Sequence, residues 1–82
     1  MKATDIKPGK IYRNSGKGTT LRNVYGIGTE YRPYRKFATE RSDPDAKGVL
    51  YRQRHISSAI WSEERRIWLD SFASWAGREV TQ

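Results

Sequence analysis

The stretch Ser58-Ala59-Ile60-Trp61-Ser62-Glu63-Glu64-Arg65-Arg66-Ile67-Trp68-Leu69-Asp70-Ser71-Phe72-Ala73-Ser74-Trp75-Ala76-Gly77 decides the fold, because it reads in two incompatible ways. Trp61, Trp68 and Trp75 stand seven apart with Ile60 and Ile67 shadowing two of them, as along one helical stripe. Ser57 or Ser58 offers an N-cap and Gly77 a stop, so a single helix over about 58–76 has both start and end signals. The competing reading puts Arg66-Ile67-Trp68-Leu69 in a strand, Ser71 to Ala76 in a short helical turn and Arg78-Glu79-Val80-Thr81 in a further strand. Periodicity alone leaves both standing.

Upstream the signals are β. Lys10 to Asn14 carries the pair Ile11-Tyr12, Ser15-Gly16-Lys17-Gly18 is a turn cluster, and Thr19 to Ile27 is rich in β-branched and aromatic residues, so a hairpin is expected. In its second strand Leu21, Tyr25 and Ile27 share one parity, interrupted by Asn23, while Arg22 and Val24 share the other. Such mixed patterning suits a small curled sheet with both faces partly covered. Residues 28–47 show no sustained period and hold Pro33 and Pro44, which marks a long connection. A third strand, Gly48 to Gln53, follows it.

Gly9-Lys10-Ile11-Tyr12-Arg13, Val24 through Ile27, Val49-Leu50-Tyr51-Arg52, then Ile67-Trp68-Leu69 and Phe72 follow one another in an order that resembles a family of small uncharacterised bacterial and phage proteins. The resemblance implies an SH3-like small β-barrel; it implies architecture without implying activity. The loops at 29–47 and 54–65 are longer than that pattern. The fold expected is therefore mainly β, a small barrel of four or five strands with a short C-terminal helical turn. The alternative is α+β, a β-hairpin sheet packed on one C-terminal helix. The expected core joins Trp68 and Phe72 to Tyr12, Val24, Ile27, Val49 and Tyr51.

Eighty-two residues fit one domain, 1–82, with residues 1–8 as an N-terminal arm and 29–47 as the long loop. Hydrophobic residues make up 35% and charged residues 30%, too apolar for a disordered chain and too polar for a membrane segment. With no Cys to form disulfides or thiolate metal sites, aromatic packing must carry the stability. Met1 to Lys10 has no apolar run, so neither a secretory signal nor a transmembrane helix is expected there, and cytoplasmic residence is the expectation.

Function is pointed to by charge. The formal net charge is +7, and from Lys7 to Lys36 eight Lys or Arg residues face the single acid Glu30. Tyr31-Arg32-Pro33-Tyr34-Arg35-Lys36-Phe37 interleaves three rings with three cations, a pattern suited to phosphates and unpaired bases together. Arg makes up ten of the sixteen cations, and its planar fork favours bidentate phosphate contact. The ordinary reading of such charge is a soluble basic surface.

Other motifs resolve into structure. Ser15-Gly16-Lys17-Gly18 fails as a phosphate loop, because Ile11 stands where the first Gly is needed and Gly18 where a hydroxyl residue is needed. Gly26-Ile27-Gly28 lacks the third Gly of a dinucleotide fingerprint, Tyr31 standing there, and reads instead as a bulge or tight bend. His55 has no companions at metal-ligand spacing and reads as an exposed loop residue; Glu63-Glu64 beside Arg65-Arg66 reads as surface ion pairing.

The leading expectation is thus a non-enzymatic, cofactor-free nucleic-acid-binding barrel. Lys10, Arg13, Lys17 and Arg22 would contact phosphates, Arg32, Arg35 and Lys36 would extend that track, and Tyr31 or Tyr34 would stack on bases. This requires those cations to converge on one face. The alternative is a phage-encoded protein-binding module that docks on an acidic host protein through its basic face and Trp61, the ring set in the polar context Ser62-Glu63-Glu64.

Overall fold

The computed structural model describes residues 1–33 and 45–80. It is mainly β. Five strands, β1 (Ile11–Asn14), β2 (Thr20–Gly28), β3 (Gly48–His55), β4 (Arg65–Trp68) and β5 (Ala76–Val80), form one open antiparallel sheet in the order β4-β3-β2-β1-β5. The last strand returns beside the first. A seven-residue helix, α1 (Leu69–Trp75), connects the two edge strands, and 3-10 turns occupy Ala3–Asp5 and Thr29–Tyr31.

The C-terminal third therefore follows the strand, helical turn, strand reading, and the single helix over 58–76 does not form. The seven-residue spacing of the tryptophans is a coincidence of three environments. Along β4 the period is two, so Ile67 pairs with Val49 on the inner face while Trp68 pairs with Gly48 on the outer one. Trp68 is half-buried and lies outside the core, a correction to the expected list; Ile67 packs there instead. After the chain turns into α1, the i, i+3 pair Phe72 and Trp75 meets on one side, ring centroids 5.3 Å apart. Gly77 lies in β5 rather than ending a long helix.

One cluster on the inner face carries the apolar burial: Ile6, Tyr12, Val24, Val49, Tyr51, Phe72, Ala73 and Ala76, with Ile27, Ile67 and Trp75 packed against it. Phe72 is fully buried and meets both Tyr12 and Tyr51 edge-on at 5.7 Å. Such edge-to-face pairs add about 0.5–1.5 kcal/mol each beyond area burial. The arm at residues 1–8 is sewn to this core. Ile6 is buried in it, and the Tyr12 hydroxyl accepts from the Lys7 amide at 2.8 Å and donates to the Asp5 carbonyl at 3.0 Å.

The broken alternation in β2 has a local cause. Val24 pairs with Tyr51 but Gly26 pairs with Leu50, so Tyr25 is the extra residue of a bulge and the inward set runs Arg22, Val24, Ile27. Gly26 makes room for the Tyr31 ring, which a Cβ there would strike. Gly48 is required for the same reason, its Cβ position coinciding with the Tyr31 carbonyl. Together the two glycines let the Thr29–Tyr31 turn fold down onto the outer face. Among the described residues no helix is long and apolar enough to cross a membrane.

Candidate nucleic-acid interface

Strand register sorts the arginines. Arg78 on β5 pairs with Arg13 on β1, Arg13 with Leu21 on β2, and Leu21 with Arg54 on β3, so one row across four strands presents three guanidinium groups on the outer face. The next row is Val80, Ile11, Asn23 and Arg52. Beyond the bulge, Leu50 pairs with Arg66 on the same face. Ile11 and Leu21 are buried here yet stand apart from the inner core.

Rings alternate with these cations. Arg54 lies 5.0 Å from the Trp61 ring centre, Arg52 5.7 Å from Tyr25, Arg66 5.9 Å from Tyr31 and Arg32 5.1 Å from Trp68. Each distance is within the roughly 6 Å reach of cation–π attraction. The outer face thus holds six arginines, Arg13, Arg32, Arg52, Arg54, Arg66 and Arg78, four of them resting on rings. Among the described residues Arg13, Arg52, Arg54 and Arg78 stand outside any ion pair, whereas Arg65 pairs with Glu63 at 3.7 Å. Arg13 is steadied by donating from Nε to the Gly18 carbonyl at 2.6 Å, and Arg66 donates to the Glu30 carbonyl at 3.2 Å.

Of the residues expected from sequence, Arg13, Tyr31 and Arg32 belong to this face. Lys10 is exposed just before β1, and Lys17 is exposed at the tip of the β1–β2 hairpin. Tyr34, Arg35 and Lys36 lie outside the described residues. Trp61, read as a free protein-contact ring, is half-buried under Arg54. His55 is exposed, with Nδ1 accepting from the Ser57 amide at 3.1 Å.

Arg22 departs from the expected convergence. It pairs with Tyr12 and Gln53 on the inner face, the side opposite Arg13. Its guanidinium is wedged between Trp75 at 4.2 Å and Tyr51 at 4.7 Å, with Phe72 at 5.8 Å, and Nε donates to Gln53 Oε1 at 3.2 Å. Nη1 is buried without a partner. Burial lowers the Arg22 pKa, and the nearby Arg65 charge lowers it further while Tyr51 acts the other way. An arginine loses its proton only far above physiological pH, so this group stays charged where it sits.

Arg52, Arg54, Arg66, Arg78 and Tyr25 were missed. The first two were legible in Tyr51-Arg52-Gln53-Arg54, where a period of two sets both arginines on the face opposite Tyr51. Arg78 acquires its role only by pairing with Arg13, a long-range contact that no local pattern reveals. Among the described residues no three His, Cys, Asp or Glu side chains gather as metal ligands would. No family model, curated protein or solved structure matches the chain.

Proposed function

We propose that this domain binds nucleic acid without catalysing a reaction, seating the phosphate backbone on the outer face of the sheet. The observation that carries the reading is the gathering of six arginines on that face, interleaved with four rings, with Arg13, Arg52, Arg54 and Arg78 outside any ion pair among the described residues. Guanidinium forks bind phosphate bidentately, and neutralising backbone charge releases counterions. The face is held by backbone pairing across the strands, so the arginines are spaced before the ligand arrives and little order has to be imposed on binding.

Titration of mixed-sequence oligonucleotides between about 50 and 200 mM salt tests the reading. Five or six phosphate contacts predict an affinity that falls by roughly a thousandfold across that range. An affinity that is undetectable at low salt, or flat with salt, would remove nucleic acid as the ligand. Stoichiometric retention of an acidic protein from nuclease-treated lysate would then point to the protein-docking alternative.

A further inference from the structure

The segment leading from β3 to β4 borders a shallow, open cleft of about 410 Å³ between Arg54, Ile56, Ser58 and Trp61. Resting on the nucleic-acid reading above, we infer that the ligand is single-stranded and that one of its unpaired bases enters this cleft. The geometry favours a flat, uncharged ring system next to a phosphate. Arg54 Nη1 is tethered to the carbonyls of His55 at 3.3 Å, Ile56 at 3.4 Å and Ser58 at 2.6 Å, so the guanidinium plane is fixed before any ligand arrives. Among the described residues its Nε and Nη2 have no hydrogen-bond partner. Trp61 already stacks against that guanidinium at 5.0 Å, too close for a ring between them, so the base would lie against the pair from the cleft side.

Exposed apolar side chains stand near the polar lining of Arg54, Ser57 and Ser58. Ile56, which lines the cleft, is 41% exposed, Ile60 in the same segment is 80% exposed, and Tyr25 stands 48% exposed on the same face beside Arg52. Rings facing solvent gain nothing from a duplex, whose base faces are already stacked, but each can take an unpaired base. Reading a duplex through its major groove calls for a helix or a two-stranded ribbon projecting into it. The one α-helix among the described residues, α1, instead turns Phe72 and Ala73 into the core.

The test compares four ligands of one length, about 12 nucleotides. They are a thymidine DNA strand, a uridine RNA strand, an abasic strand with the same phosphates, and a duplex. Anisotropy at constant salt reads the affinity. Base-bearing single strands should bind about tenfold or more tighter than the abasic strand. Trp61→Ala should weaken the base-bearing strands by about fivefold or more while leaving abasic affinity within about twofold. Trp61→Leu, which keeps apolar volume and removes the π surface, should act alike and guards against a folding defect. The DNA and RNA arms separate the two sources of an unpaired base. Equal affinity for abasic and base-bearing strands, tighter binding of the duplex, or a Trp61→Leu variant with unchanged preference would each overturn the inference and leave the phosphate-binding face intact. Failure of all four ligands to bind would remove the face as well.

Discussion

The two faces of this sheet both bring guanidinium groups against aromatic rings, and they differ in access to water. On the inner face Arg22 lies against Trp75 and Tyr51, with Gln53 as a hydrogen-bond partner and one nitrogen buried without any. On the outer face Arg52, exposed, and Arg54, half-buried, rest on Tyr25 and Trp61. A sequestered pair fixes packing; an open pair leaves charge and ring available to a ligand. Which of the two an arginine becomes is decided by strand parity, one residue at a time: Arg13 and Arg22 belong to one hairpin and end on opposite sides.

If the inner face is purely architectural, damaging it must abolish the fold rather than weaken binding selectively. Phe72→Ala, which removes a fully buried ring from between Tyr12 and Tyr51, should lower stability by about 3–5 kcal/mol in urea denaturation. In a domain this small that is a large part of the total. A folded Phe72→Ala protein with ordinary stability and weakened oligonucleotide binding would blur the distinction between the faces.

The outer face should show the reverse. Combining Arg13→Ala, Arg52→Ala and Arg78→Ala should lower affinity roughly a hundredfold at moderate salt and reduce the slope of log affinity against log salt by about two to three. The melting temperature should fall only modestly, because among the described residues these side chains have no ion pair and lose one hydrogen bond, Arg13 to Gly18, and one ring contact, Arg52 to Tyr25. An unchanged salt slope would place the binding surface elsewhere.

Arg22 tests the boundary between the two. Arg22→Ala should cost about 1–3 kcal/mol, because it empties the space beside Trp75 and Tyr51, whereas Arg22→Met should be near neutral or stabilising, since it refills that space and removes an unpartnered buried nitrogen. Neither should change oligonucleotide affinity in the folded protein. If Arg22→Met weakened binding as much as Arg52→Ala, the inner mouth would belong to the interface and the contrast would fail.

How much of this was legible beforehand follows from what each feature depends on. The hairpin and the third strand were visible, because turn residues and β-branched runs are local. The strand and helical turn at Arg65–Trp75 were one of two readings, and the seven-residue tryptophan spacing could not choose between them, since only pairing with Val49 and Gly48 sets Ile67 inward and Trp68 outward. For the site, the basic-aromatic segment directed attention to Tyr31 and Arg32. The larger share of the face comes from Arg52, Arg54 and Arg78, whose convergence depends on register. The bulge at Tyr25 misled about the end of β2: by inserting one residue it exchanged the parities on either side, so Ile27 looked like a neighbour of Leu21, whereas Arg22 shared the parity of core Val24 all along.

The smallest effect concerns Tyr12, the inner-face residue that joins the arm to the core. Burial raises its pKa first of all, with the Glu79 and Asp5 charges adding to the rise and the hydrogen bond from Lys7 opposing it. The folded state therefore holds the phenol proton more tightly than the unfolded chain does. Its contribution is complete below the ordinary tyrosine value near 10 and is lost as pH climbs from there through the folded-state value. Stability should fall across that alkaline window. Tyr12→Phe loses the hydrogen bonds to Lys7 and Asp5, at about 1–2 kcal/mol near neutral pH, and should flatten the alkaline decline, both measurable by urea denaturation across pH. An equally steep decline in Tyr12→Phe would assign the alkaline sensitivity to another group and leave the Tyr12 phenol with only its hydrogen-bonding role in tying the arm to the inner face.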